Sequence, residues 1–157
     1  MAYLLRFLKN TKNTKEERNK NHLTASELNQ ATICLVKIIQ GYHFSGELKA
    51  LHKGESVPRN SKLNGLAPFI DDSGIIRVGG RLLQSRLPYS TRHPIVLPSR
   101  HKFTTMLIMR EHQNLLHAGP QSTLAALRQT YWPIAGRNAV RQVTRSCVRC
   151  FRAAPSS

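Results

Sequence analysis

Acidic side chains are scarce in this chain: 8 Asp plus Glu stand against 24 Lys plus Arg in 157 residues, for a formal net charge of +16. An excess of this size favours a polyanionic partner, because phosphate contacts release condensed counterions. An anionic membrane surface, an acidic protein, or nothing beyond solubility would also be compatible with the charge alone. Aromatics are few, at 6%, so a core can form but not a thick one. There is no run of 18 or more apolar residues, which excludes a membrane-spanning helix. The apolar stretch within Met1–Lys9 is too short for a signal peptide and no small-residue cleavage site follows it, so the chain reads as intracellular. Cysteines number three, Cys34, Cys147 and Cys150. An odd count without a secretory signal argues against a disulfide framework, and the close pair points to metal or redox chemistry. The length suits one ordinary domain or two small ones and cannot house a large enzyme.

The charge is unevenly spread. Residues 99–157 hold nine basic residues and a single acid, Glu111, and so carry half of the excess. The segment Asn10–Asn21 lacks apolar residues and reads as a solvated linker. A helix is expected from Thr24, where Thr24-Ala-Ser-Glu27 is a capping-box pattern. Leu28, Ala31, Leu35, Ile38, Ile39 and Tyr42 would form its apolar face, with Cys34 a small core or boundary residue. Gly41 or Gly46 would end it, and Glu47–His52 would make a short second helix. The middle changes period: Leu66–Ile70 and Ile75–Val78 around Asp71-Asp-Ser-Gly74 predict a β-hairpin. Gly79-Gly80 predicts a bend rather than a phosphate loop, and Arg81–Leu83 would continue the strand. His93–Pro98, closed by prolines, reads as an extended segment at a sheet edge.

From Ser99, read as an N-cap, three helices are expected. Phe103, Met106, Leu107 and Arg110 would line one side of the first, broken by Ala118-Gly-Pro120. The second would start near Ser122, with Leu124, Leu127 and Tyr131 along it and Pro133 as its stop. The third would start near Gly136 or Asn138, with Val140 and Val143 facing inward.

Four residues of this last third have metal-ligand chemistry at metal-ligand spacing: His112, His117, Cys147 and Cys150. Cys147-Val-Arg-Cys150 allows two thiolates to reach one ion, and a helix end carrying His112 can turn back through Leu115 and Leu116 to present His117. Two imidazoles and two thiolates suit one tetrahedral Zn²⁺, and four protein ligands leave no position for substrate or activated water, which makes the site structural. Short helices bury too little surface to be stable alone. A structural zinc contributes roughly 10–16 kcal/mol of apparent binding free energy in small fingers. A thioredoxin-like dithiol is disfavoured because no βαβ pattern accompanies Cys147 and Cys150. His101 is the competing ligand, but it would lie about 16 Å along the helix from His112. His22, His43, His52 and His93 have no partner at motif spacing. Arg137, Arg141, Arg145 and Arg149 recur every four positions, a stripe that suits a phosphate backbone and equally a solvated helix face. Tyr131-Trp132 reads as core, with base stacking the alternative.

Taken together, His112-Gln-Asn-Leu-Leu-His117-Ala-Gly-Pro-Gln, Leu127-Arg-Gln-Thr-Tyr-Trp-Pro133, Gly136-Arg-Asn and Cys147-Val-Arg-Cys-Phe-Arg152 resemble the HHCC zinc-binding domain of retroelement integrases. The version resembled is that of Bel/Pao-type LTR retrotransposon polyproteins. The stretches Asp71–Leu82 and His93–Pro98 resemble the region before the integrase in those polyproteins, and the likeness covers roughly residues 24–153.

The patterning gives N-terminal helices and a small β-hairpin region, and the resemblance implies a zinc-stabilised three-helix, helix-turn-helix-like bundle after them, an α+β chain as a whole. Its organisation would be a basic polar segment and linker at 1–23, a helix plus hairpin region at 24–98, the HHCC domain at 99–153 and a tail at 154–157. The family's catalytic core follows the second cysteine and uses three carboxylates. Residues 112–157 contain no Asp or Glu, so the chain reads as non-catalytic and as a polyprotein fragment or degenerate copy. Asp71-Asp72 reads as turn chemistry rather than a paired-carboxylate site. The expected cofactor is one structural Zn²⁺. The expected partner is nucleic acid, DNA in preference to RNA, with no membrane and no small-molecule substrate. Self-association, or pairing with other integrase-like chains, suits the family, and a zinc-dependent self-association module is the alternative function. The basic runs suit nuclear import.

Overall fold

A computed structural model describes residues 1–80 and 86–153. The strand continuation expected at Arg81–Leu83 and the tail at 154–157 lie outside the described residues. Mixed helices and strands make an α+β fold, as expected. The chain opens with α1 (Ala2–Lys12), α2 (Ala25–His43) and α3 (Ser45–His52). Strands β1 (Phe69–Ile70) and β2 (Ile76–Arg77) follow, then the short α4 (Tyr89–Arg92) and β3 (Ile95–Leu97). The last third is α5 (Lys102–Asn114), α6 (Pro120–Leu127), β4 (Tyr131–Pro133), α7 (Gly136–Arg145) and α8 (Val148–Ala153).

Helix α2 begins at the expected capping box. The Thr24 hydroxyl accepts from the Glu27 N–H at 3.3 Å, and the Glu27 carboxylate accepts from the Thr24 N–H at 2.9 Å. The helix runs through Gly41 to His43, and its buried residues are Ala31, Val36, Ile39 and Gln40. Leu28, Ile38 and Tyr42, expected on the apolar face, are exposed. The face is rotated because Gln40 takes a core position. Its amide donates to the carbonyls of Ile76 and Val96 and accepts from the Ile76 N–H, so a polar side chain is buried with its bonds made. Helix α1 occupies the segment read as basic and polar, and its last turn enters the expected linker. The buried Arg6 holds it to α2, donating from Nε to Glu27 at 2.8 Å and from a terminal nitrogen to the His22 carbonyl at 2.9 Å.

The predicted hairpin forms, but with shorter strands than expected: Leu66 closes a 3-10 turn and Ala67 takes a positive φ of 43°, so β1 begins only at Phe69. β1 pairs antiparallel with β2, Phe69 opposite Arg77 and Ile70 opposite Ile76. Asp71 organises the loop, its carboxylate accepting from the Ile75 N–H at 2.9 Å and pairing with Arg77, while Gly74 supplies the positive φ of 73°. Gly79 sits where a Cβ would lie 2.3 Å from the Ala67 carbonyl oxygen, so only glycine permits this approach.

The sheet order is β1-β2-β3-β4, which places β3 in the interior and not at the edge expected of it. Its prolines, Pro94 and Pro98, flank the three paired residues and remove no ladder donor from them. All three residues of β3 are buried because both faces are covered. Ile95 and Leu97 pack with Val36, Ile108, Leu127 and Val140 in one core, and Val96 packs with Phe44, Leu63, Ile76 and Ile134 in the other.

β4 pairs parallel with β3, Ile95 opposite Tyr131 and Leu97 opposite Pro133. Tyr131 is therefore a strand residue and not the end of a helix, and α5 and α6 form a β-α-α-β crossover that periodicity did not reveal. The pairing also joins residues on the two sides of position 98. Helices α5, α6 and α7 pack on one another as a three-helix unit. The N-cap of α5 is His101, whose ring accepts from the Phe103 N–H at 3.2 Å; Ser99 lies outside the helix. Its buried residues are Thr104, Leu107, Ile108 and His112, while Met106, expected on the same side as Leu107, is exposed. α6 starts at Pro120, two residues before the expected Ser122. α7 buries Val140 and Val143 as expected. A Cβ on Gly136 would meet Leu124 and Pro133 side-chain carbons at 3.1 Å, which is how closely α7 starts against α6 and β4.

Candidate metal centre

Four side chains converge where the end of α5 meets the start of α8. His112 lies in the last turn of α5, where it is 1% exposed. Leu115 caps that helix, and the chain reverses through Leu116 and His117 at φ of 52° and 65°. Two successive non-glycine residues in the left-handed region are uncommon and costly, and such strain concentrates at functional sites. The reversal is held by N–H bonds from Leu116 to the Gln113 carbonyl at 2.9 Å and from His117 to the His112 carbonyl at 2.8 Å. It sets the two imidazoles edge to face, 4.8 Å between centroids.

The cysteines arrive from the other side. α7 ends at Arg145, and Cys147 precedes α8, which carries Cys150. The nearby Cys150 backbone N–H holds the Cys147 thiol below its ordinary pKa, against the opposing effect of burial. The two-residue spacer thus positions both sulfurs and favours the thiolate at one of them. Desolvation, and then the neighbouring Cys147, raise the half-buried Cys150 thiol above its ordinary pKa.

The ligand atoms of His112, His117, Cys147 and Cys150 all lie within 4.8 Å of one another. His112 Nε2 is 3.1 Å from Cys150 Sγ and 3.2 Å from His117 Nδ1, and His117 Nδ1 is 3.3 Å from Cys147 Sγ and 3.7 Å from Cys150 Sγ. A tetrahedral zinc with its usual bond lengths sets nitrogen and sulfur ligands about 3.3–3.8 Å apart. The spacing fits one such ion at the centre. The tautomer fits as well: His112 Nδ1–H donates to the Ala118 carbonyl at 3.0 Å, which leaves Nε2 as the lone-pair donor facing the cluster. Position and donor chemistry therefore suit one zinc ion, bound by four protein groups that close its coordination sphere.

His101 stays apart from the cluster, capping α5 and meeting the His43 ring at 5.5 Å. His93 is a buried structural residue, its Nδ1 3.0 Å from the Val78 carbonyl. Cys34 is half-buried on α2 and belongs to no metal-ligand group among the described residues. Arg137, Arg141 and Arg145 lie exposed on α7, but Arg149 lies on α8. The four-residue spacing does not make one helical stripe, because the helix breaks at Ser146 and Cys147. Trp132 is half-buried, and the Arg128 guanidinium stacks over it at 4.2 Å from the ring centroid. The four-residue gap between them is visible in the sequence, but the reading of this stretch as a continuing helix hid their contact.

Three helices, a parallel strand pair beneath them and an HHCC cluster at one end define a zinc-binding helical module. Residues 100–156 match the family model of the integrase zinc binding domain. No curated protein and no solved structure matches the chain.

Proposed function

We propose that the chain is a non-catalytic, zinc-stabilised nucleic-acid-binding module of a retrotransposon integrase polyprotein of Bel/Pao type, with DNA as the partner. The reading is supported by one observation above the others. α7 divides into a buried side of Ala139, Val140, Val143 and Thr144 and an exposed side carrying Arg137, Arg141 and Arg145, and it leads directly into Cys147. The zinc site fixes the far end of that helix, so its cations are presented on a rigid element. Arg149 extends the basic surface onto α8 at a different angle. Residues 112–157 contain no acid to neutralise it. Two thiolates cancel the charge of Zn²⁺, so metal binding leaves the surface basic. Binding in the nucleus would follow from such a role, and the basic runs suit import.

Fluorescence anisotropy with labelled duplex DNA across a salt series tests the reading. The logarithm of affinity should fall with log salt at about −0.9 per phosphate neutralised, and Arg141→Glu with Arg145→Glu should weaken binding at every salt concentration. Unchanged affinity in that double variant would reduce the arginines to a solvated face.

Self-association is the second reading. Leu116, Val148 and Phe151 are 89%, 61% and 77% exposed beside the metal ligands, an apolar surface placed by the same strained turn and helix. Sedimentation with and without chelator separates the two readings: zinc-dependent dimers with no DNA affinity would favour this one.

A further inference from the structure

The basic surface has a feature that the arginines of α7 do not account for. Arg128, at the end of α6, stacks on Trp132 at 4.2 Å and is only half exposed. Its Nε is buried without a hydrogen-bond partner. Most buried polar groups find partners, so a buried guanidinium Nε without one calls for a physical explanation. Among the described residues no carboxylate compensates it. The charged side chain acting on it is another cation, Arg137, and burial and that repulsion together lower its pKa.

Trp132 gives this cation a fixed position. The indole packs against the core of Phe44, Leu63, Ile76, Val96 and Ile134, so the stacked guanidinium rests on a rigid floor. Arg128, Trp132, Arg137 and Asn138 border a hollow of about 370 Å³ at the start of α7. Asn138 also borders a second hollow of about 370 Å³, lined by Arg141, Gln142 and Arg145. Asn138 thus borders both hollows, whose linings together hold four arginines and no acidic side chain. Two cations brought together without a counter-charge are stabilised by an anion between them, and a guanidinium presents a planar fork that matches phosphate oxygens.

We propose that Arg128 and Arg137, over the Trp132 ring, form a seat for one backbone phosphate of DNA, joined through Asn138 to the Arg141 and Arg145 surface. This rests on the nucleic-acid reading above and adds a site to it. Arg128 is not part of the four-residue arginine series, and the seat lies at the end of α7 remote from the zinc ligands. The phosphate supplies a counter-charge that no carboxylate among the described residues gives Arg128. Trp132, the single tryptophan, lies beneath the seat and reports its occupancy.

The test uses the full zinc-loaded chain and a short mixed-sequence DNA duplex, with anisotropy measured over a salt series. Arg128→Gln should lower affinity about tenfold at low salt. It should also reduce the slope of log affinity against log salt by about 0.9, the equivalent of one phosphate contact. Arg18→Gln, which removes one exposed charge from the N-terminal segment, should leave the slope unchanged. Wild-type Trp132 emission should shift on DNA addition, and Arg128→Lys, which keeps the charge without the fork, should retain the slope. Zinc content and circular dichroism equal to wild type establish that the variants are folded. If the wild type binds DNA with the expected salt slope but Arg128→Gln binds with the same affinity and slope, the seat is wrong while the nucleic-acid reading stands. If the wild type does not bind DNA at all, both fall.

Discussion

Gln40 and Ile76 are paired like neighbours in a β-ladder, although one is a helix side chain and the other a strand backbone. Gln40 Nε2 donates to the Ile76 carbonyl at 2.9 Å while Oε1 accepts from the Ile76 N–H at 2.7 Å. A further bond from Nε2 to the Val96 carbonyl at 2.8 Å ties β3 into the same clamp. The side chain is 1% exposed, so these groups have no access to water if it is lost. Gln40→Leu should therefore destabilise the fold by about 2–4 kcal/mol, since it strands buried backbone groups. Urea unfolding followed by circular dichroism would measure this. Gln40→Glu should not restore stability, because the carboxylate cannot donate to the two carbonyls.

Two glycines are expected to differ in cost. At Gly79 a Cβ would press 2.3 Å from a backbone oxygen, which cannot move without shifting the hairpin. At Gly136 the 3.1 Å contacts are with Leu124 and Pro133 side-chain carbons, which can give by a few tenths of an ångström. Gly79→Ala should cost about 3 kcal/mol and Gly136→Ala about 1 kcal/mol, within the range for overpacked sites. Thermal unfolding of the two variants side by side checks the order, and equal costs would contradict the packing described.

Acid should release α1 from α2. The Arg6 guanidinium, together with the Thr24 N–H, holds the Glu27 carboxyl at about 2 against an ordinary 4.5. The group is depressed in the folded state, so its stabilising contribution is complete above the ordinary value, declines below it, and is gone below about pH 2. The stability difference between wild type and Glu27→Gln should follow that window. Hydrogen exchange of α1 amides against pH measures it, and a difference constant from neutral pH to pH 3 would contradict the pairing.

Local chemistry was legible in the sequence where neighbouring residues satisfy one another. The Thr24–Glu27 capping box, the Asp71–Gly74 turn and the inward valines of α7 each depend on contacts a few residues apart. The metal ligands were legible for a different reason: His and Cys at these spacings have one economical geometry around zinc. What sequence reading missed was long-range. Gln40 looks solvent-facing until β2 and β3 present their unpaired backbone groups to it. Tyr131–Pro133 becomes a strand only because β3, more than 30 residues earlier, offers a free edge. The arginine spacing concealed a helix break, because four-residue periodicity does not register the turn at Ser146 that lets Cys147 reach the metal.

Chelation should loosen the last third more than the first. α5 and α8 meet at the ligands, and without zinc the left-handed turn at Leu116 and His117 loses the contact that offsets its strain. Exchange protection should fall in α5, α7 and α8 on adding chelator, while the Thr24-capped α2 retains more of its own. Uniform loss across the chain would instead indicate that the two cores unfold as one unit.

The most direct test is zinc content by atomic emission in the purified chain and in Cys147→Ser. About one zinc per wild-type chain is expected, as a four-ligand HHCC site holds one ion. The serine variant should lose it. Stoichiometric zinc retained in Cys147→Ser, or a folded wild-type chain that binds none, would contradict the assignment of His112, His117, Cys147 and Cys150 as the metal centre.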